Sequence, residues 1–219
     1  MLRMNRLYLL GLSVAACLFA QTPPTLENDQ VRVLTVTDQP HAKTALHEHK
    51  LNRVMLYLKP GEQEIISQDG KKTTLKFKAG DVKWSPASGM HTSEIVSGSP
   101  VTIIEFEVKK PGDPSKSATT ALDPLKVAPK IYKLEFENDQ VRVVRVKFAA
   151  NQPVPEHEHM LNRAVVYLTD QRSKMTTPDG KTEESQHKAG EVSFSGPVKH
   201  KEQNLLDKPV ELLVVEFKN

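Results

Sequence analysis

Two stretches of this sequence are built from residues that can do chemistry: HEHKLNR, beginning at His47, and HEHMLNR, beginning at His157. The chain has eight histidines, and six of them stand at matching places: His47, His49 and His91, then His157, His159 and His200. Residues i and i+2 of a strand share one face, so His47 and His49 project together, as do His157 and His159. With His91 or His200 added, each set can close three sides around a divalent transition metal. Neutral imidazole suits iron, manganese, zinc, copper or nickel, and a triad leaves positions open for water or a small molecule. Glu48 and Glu158, between the paired histidines, belong to the opposite strand face. His41 and His187 fall outside the pattern and read as ordinary satisfied histidines.

Competing chemistry is thin. Cys17 is the only cysteine, so no disulfide framework and no second thiolate is available. There is no phosphate-cradling glycine loop, no GxSxG and no motif-level Ser-His-Asp or Cys-His set. The 30 basic and 27 acidic residues are interleaved, giving a net charge of +3. Nucleic-acid binding needs a concentrated basic stripe, which this pattern excludes.

The histidines repeat because the chain repeats. From Glu27 to Gly80 a second copy follows at a constant offset of 110, with 22 identities in 54 positions. ENDQVRV returns whole, DGK returns at Asp179 to Lys181, and KAGD returns as KAGE. One deletion then shifts the offset to 109, aligning His91 with His200. Both copies close on an apolar run ending in Glu-Phe. Residues 109–130, KKPGDPSKSATTALDPLKVAPK, have the prolines and small polar residues of a linker. The expected organisation is therefore 1–20 as a leader, 25–108 as one domain, 109–130 as a linker and 131–219 as a second domain, the two packed on one another. At about ninety residues each, such units are near the lower size for an independent core.

The elements that must position the histidines read as strands. VRVLTV, RVMLYL, EIISQ, TTLKFK, VTIIEFEV and their counterparts are short, β-branched or alternating. SQDGKK and TPDGKT carry the Asp-Gly pair of a tight hairpin turn. No segment after the leader holds a helical period over three turns, so the expectation is all-β, with an antiparallel barrel or sandwich in each half. At the N-terminus, Arg3 and Arg6 precede the apolar run LYLLGLSVAACLFA and the break QTPPT. That is the layout of a signal peptide, too short to span a bilayer comfortably. Val14-Ala15-Ala16-Cys17 also resembles the lipobox of bacterial lipoproteins. The expected localisation is thus export, periplasmic or secreted, or else a membrane-anchored lipoprotein through Cys17, with no transmembrane helix left after the leader is removed.

Each half resembles the cupin superfamily, whose motifs are G-x5-H-x-H-x3,4-E-x6-G and G-x5-P-x-G-x2-H-x3-N. HEHKLNRVMLYLKPG matches most of the first. Gly80-Asp81-Val82 with Pro86, Gly89 and His91 matches the second with the proline-to-glycine spacing altered by one, which shifts the glycine one place toward the histidine. The second half follows with HEHMLNRAVVYL, Gly190 to His200, and Asn204. The resemblance implies a bicupin: two tandem antiparallel jelly-roll β-barrels, each able to hold a divalent metal (Fe, Mn, Zn, Cu or Ni) inside one mouth. It departs from the family in one respect, since no glutamate follows either HxH. Three-histidine sites without glutamate occur in some cupin dioxygenases, so an enzyme of this kind would be a metal-dependent oxidoreductase or isomerase acting on a small polar molecule. The other reading is a small-ligand-binding or scaffold barrel that has lost its metal. Under the favoured alignment Arg53 and Arg163 point away from the metal; the alternative places them beside it as anion-binding groups. Trp84 belongs to core packing, with a ligand-lining role as the alternative.

Overall fold

The computed structural model describes residues 23–219, and the leader with Cys17 lies outside the described residues. Nine strands form the first half: β1 (Leu26–Glu27), β2 (Val31–Asp38), β3 (His47–His49), β4 (Asn52–Tyr57), β5 (Gly61–Ser67), β6 (Lys72–Phe77), β7 (Val82–Ser85), β8 (Ser88–Ile95) and β9 (Val101–Val108). After one short helix, α1 (Pro124–Val127), nine more follow: β10 (Tyr132–Glu137), β11 (Val141–Phe148), β12 (Pro153–His159), β13 (Arg163–Tyr167), β14 (Gln171–Thr176), β15 (Thr182–His187), β16 (Val192–Ser195), β17 (Val198–Asn204) and β18 (Val210–Phe217). Each half folds into a five-stranded and a four-stranded sheet. The orders are β1-β2-β9-β4-β7 with β3-β8-β5-β6, and β10-β11-β18-β13-β16 with β12-β17-β14-β15. Among the described residues all the strand ladders are antiparallel, giving an all-β fold in two jelly-roll barrels. The Asp-Gly turns form as expected, with Gly70 and Gly180 both at φ 84° closing the β5–β6 and β14–β15 hairpins. Positive φ is cheap only for glycine there.

Strand parity divides the five-stranded sheets into two working faces. In β4, Val54 and Leu56 turn to one side; in β9, Ile104 and Phe106 do the same. They join Val143, Ala164, Leu213, Val215 and Phe217 of the second half in one apolar cluster. The alternate residues, Met55, Tyr57 and Ile103, face the interior of the first barrel. Leu212 and Val214 do so in the second. Burial on both faces explains why VTIIEF and VELLVVEF read as unbroken apolar runs rather than alternating ones. Polar ties cross between the halves as well: Gln30 Nε2 donates to Asn219 Oδ1 at 2.8 Å, and Asn162 Nδ2 to Gln30 Oε1 at 2.6 Å.

The segment 109–130 does more than connect. Its first part runs against the β10–β11 turn, so closely that a Cβ on Gly112 would lie 2.0 Å from the Asp139 carbonyl oxygen. Its second part is docked on the second barrel, with Ala118 and Asp123 buried and the Glu158 amide donating to the Leu122 carbonyl. Asp123 caps α1 by accepting from the Leu125 amide, and also pairs with Arg142 at 2.8 Å. Proline and small polar residues suit a path without ladder partners, but they do not forbid burial when side chains such as Asp123 find partners inside.

Candidate metal centre

In each half the HEH strand lies beside the strand of the third histidine, in the four-stranded sheet. His47 stands opposite His91 in the β3–β8 ladder, and His157 opposite His200 in β12–β17. One ring nitrogen from each of His47, His49 and His91 lies within 4.8 Å of the others, and the same holds for His157, His159 and His200. The ring centroids are 4.5–5.2 Å apart in the first triad and 4.4–5.8 Å in the second. The second is the more deeply set, with all three histidines buried.

Four of the six rings are held by their outward nitrogens. Nδ1 of His47, His91 and His157 sits 2.8, 2.8 and 2.9 Å from the carbonyl oxygens of Ala45, Gly89 and Pro155. A carbonyl only accepts, so each Nδ1 carries the proton and each Nε2 keeps a lone pair for the cluster. His159 Nδ1 donates instead to the Glu216 carboxylate at 2.9 Å. Glu216 is fully buried and also takes Arg142 Nε at 2.5 Å. Burial opposes its charge, but His159 and Arg142 hold its carboxyl below the usual range. Burial, then Arg53, pushes His49 down to about 3; burial, then His200, takes His157 to about 4. His49 and His157 are therefore neutral near pH 7, as ligands must be. Convergent ring nitrogens, four of them on rings whose outward N–H is tied down, fit a divalent transition metal.

The arginines lie where the favoured alignment did not put them. Arg53 is buried inside the first barrel, with Nη1 2.9 Å from His49 Nε2 and 2.8 Å from Glu105 Oε2, and with Nη2 3.0 Å from Ser85 Oγ. Arg163 is buried in the second barrel, with Nη1 2.5 Å from the Gly196 carbonyl oxygen. The expectation that both point away fails because HEH and LNR are not one strand. β3 and β4 belong to different sheets, and the corner at Lys50–Leu51 resets the parity.

Trp84 packs on the cluster between the halves, edge-on to Phe136 at 6.4 Å, and also borders the first cavity. His41 is exposed near Glu94. His187 stacks on Tyr167 at 3.9 Å, in the place where Phe77 stacks on Tyr57. Glu48 turns outward to Lys50, as its strand face required.

Both triads open on cavities, about 430 Å³ in the first half and about 260 Å³ in the second. Several residues around the triads were not singled out from sequence. Glu105, Glu216 and Tyr132 come from strands far from the HEH motif, and Tyr132 places its hydroxyl 3.1 Å from His157 Nε2. Glu202 had a readable signal, since it stands two residues after His200 and shares its strand face. Its Oε2 lies 3.9 Å from His200 Nε2. Burial would raise Glu202, but His200 first, then His157 and His159, pull it below the usual range.

No family model matches the sequence, and neither does any curated protein. Solved structures do match in fold. AerE from Microcystis aeruginosa superposes with a TM-score of 0.64 at 15% identity, over 87% of this chain and 88% of that one. Oxalate decarboxylase from Bacillus subtilis does so with a TM-score of 0.61 at 14% identity, over 87% and 68%. A second structure of that decarboxylase, described for its Mn(II) centres, gives 0.58 at 13% identity, over 87% and 69%. The likeness runs through both halves.

Proposed function

Starting from the bicupin fold of this chain, we propose that it is an exported metalloprotein. It holds a divalent transition metal through histidine triads and presents it to a small polar molecule. The observation that carries this reading is the convergence of three imidazoles in each half, most with the outward N–H tied to a fixed acceptor. The manganese centres of the similar oxalate decarboxylase support the metal class. A bound metal of this kind supplies a Lewis acid or a redox centre, the chemistry of oxidation or isomerisation. The protein's own residues supply the rest. Carbonyls and Glu216 orient the rings, Tyr57 with Phe77 and Tyr167 with His187 wall the barrels, and Ser173, Ser185, Ser193 and Arg163 give the second cavity a polar lining.

Export rests on the N-terminal apolar run, with cleavage alone or acylation of Cys17 as its two forms. Among the described residues no helix is long and apolar enough to cross a membrane. Mass spectrometry of the mature N-terminus separates the two forms.

Metal analysis tests the central claim. Protein purified from its native compartment, or reconstituted with iron, manganese, zinc, copper and nickel in turn, should hold one or two equivalents. The metal should be lost when the six histidines become alanine. Absence of metal under every condition overturns the proposal. A second reading, a small-ligand-binding barrel without metal, draws on one observation in the first half: Arg53 already occupies His49 Nε2.

A further inference from the structure

The two triads come from one repeated sequence, yet their surroundings have diverged in charge. In the first half Glu105 projects into the barrel and draws Arg53 to the triad, where Nη1 donates to His49 Nε2. An arginine only donates, so the lone pair that would bind a metal is engaged by a permanent cation. At offset 109 the second half has Val214 in place of Glu105. Arg163 lacks that acid and bonds the Gly196 carbonyl instead, leaving His159 Nε2 clear of it.

The acid returns elsewhere. Glu202 takes the place of Ser93, two residues beyond the third histidine on the same face of β17. Two donors sharing one ion at about 2.0–2.2 Å stand no more than about 4.3 Å apart. The 3.9 Å between His200 Nε2 and Glu202 Oε2 is within that span, while the carboxylate stands outside the set of ring nitrogens that lie within 4.8 Å of one another, so it must turn inward from His200 to share their ion. The other Glu202 contact is long, 3.4 Å from Gln171 Nε2, so the carboxylate is weakly committed. Gln171 Oε1 and His200 Nδ1 are themselves buried without partners. The Tyr132 hydroxyl, 3.1 Å from His157 Nε2, is no counterpart of Arg53, because it carries no charge to repel a cation.

We propose that the two halves are unequal: the second is the tight metal site, with Glu202 as a fourth donor from the third histidine's own strand, and the first is capped by Arg53, which must leave His49 before a cation enters. This rests on the metal-binding reading above and ranks the two sites within it. In the first half the Glu105 carboxylate is spent on Arg53, whose guanidinium sits on a ligand nitrogen, while in the second the Glu202 carboxylate is paired with no lysine or arginine and can offset part of the ion's charge.

Calorimetric titration of the full chain with Zn(II), and with Co(II) followed by absorption, tests the ranking. Two classes of site should appear, at least tenfold apart in affinity. Glu202→Gln should weaken the tighter class at least tenfold and leave the weaker one unchanged. His200→Ala should abolish the tighter class, and His91→Ala only the weaker. Arg53→Met combined with Glu105→Gln, which removes both buried charges together, should strengthen the weaker class at least tenfold. Equal affinities, a tight class lost in His91→Ala but kept in His200→Ala, or an unchanged Glu202→Gln overturns the inequality alone. Failure of the wild-type chain to bind either ion at any site overturns the metal reading together with it.

Discussion

The Glu216 carboxylate binds His159 Nδ1 with one oxygen and Arg142 Nε with the other, at 2.9 and 2.5 Å. The matching Glu107 of the first half takes Arg32 and makes no bond to His49. Glu216 thereby fixes the His159 tautomer and raises its basicity, a contribution typically worth 10–100-fold in metal affinity. Glu216→Gln should therefore weaken metal binding by about 10–100-fold, measured by competition against a chromophoric chelator. Glu107→Gln should leave metal affinity unchanged, although it too loosens an arginine.

Asp123 and Glu216 share Arg142, whose side chain is 2% exposed. Removing one partner from a buried ion pair typically costs about 3–5 kcal/mol. Because Glu216 remains, Asp123→Ala should fall at the low end, about 3 kcal/mol, read from urea unfolding. The same change should free residues 109–123, seen as faster proteolytic cleavage there. An unchanged cleavage rate would show that Gly112 and Ala118 dock the segment unaided.

The histidines give the metal-free protein a defined pH dependence. Burial takes His49 to about 3 and His157 to about 4, against the ordinary histidine value of 6.5. Between those values the unfolded chain binds protons that the folded chain does not, so stability rises with pH. The contribution of the two groups is complete above pH 6.5 and is lost progressively as pH falls toward 4 and then 3. The melting temperature of the apo protein should fall over this window, and His49→Gln should flatten the fall. A flat profile between pH 6.5 and 4 would contradict the burial of these rings.

Phe106 and Phe217 meet in the cluster drawn from both halves, and each is at most 1% exposed. Phe106→Ala should cost about 3–5 kcal/mol. Because the cluster is shared, both halves should unfold in one transition, with tryptophan fluorescence (Trp84) and far-UV circular dichroism moving together. Separate transitions in the two signals would mean that the halves unfold independently.

Much of the architecture was legible because its signals are local. Alternation and β-branching mark strands, Asp-Gly marks the hairpins, and the offset of 110 marks two equivalent halves. The i, i+2 rule put His47 with His49 and Glu48 outward, and the structure agrees. Glu202 was legible by the same rule from His200, but a search confined to the strand after HEH passes over it.

What the chain order determined by itself is thus the all-β repeat and the six histidines that meet in two triads. What the tertiary structure decided is the company those histidines keep. Arg53 follows His49 by four residues, but its direction depends on a corner between two sheets, and local periodicity ends at a corner. Glu105, Glu216 and Asp123 reach the barrels from the end of each half and from the connecting segment, across separations that no local pattern spans. Charge acts through space, so the same histidine motif becomes a capped site beside Arg53 and Glu105, and an anion-supported one beside Glu216 and Glu202.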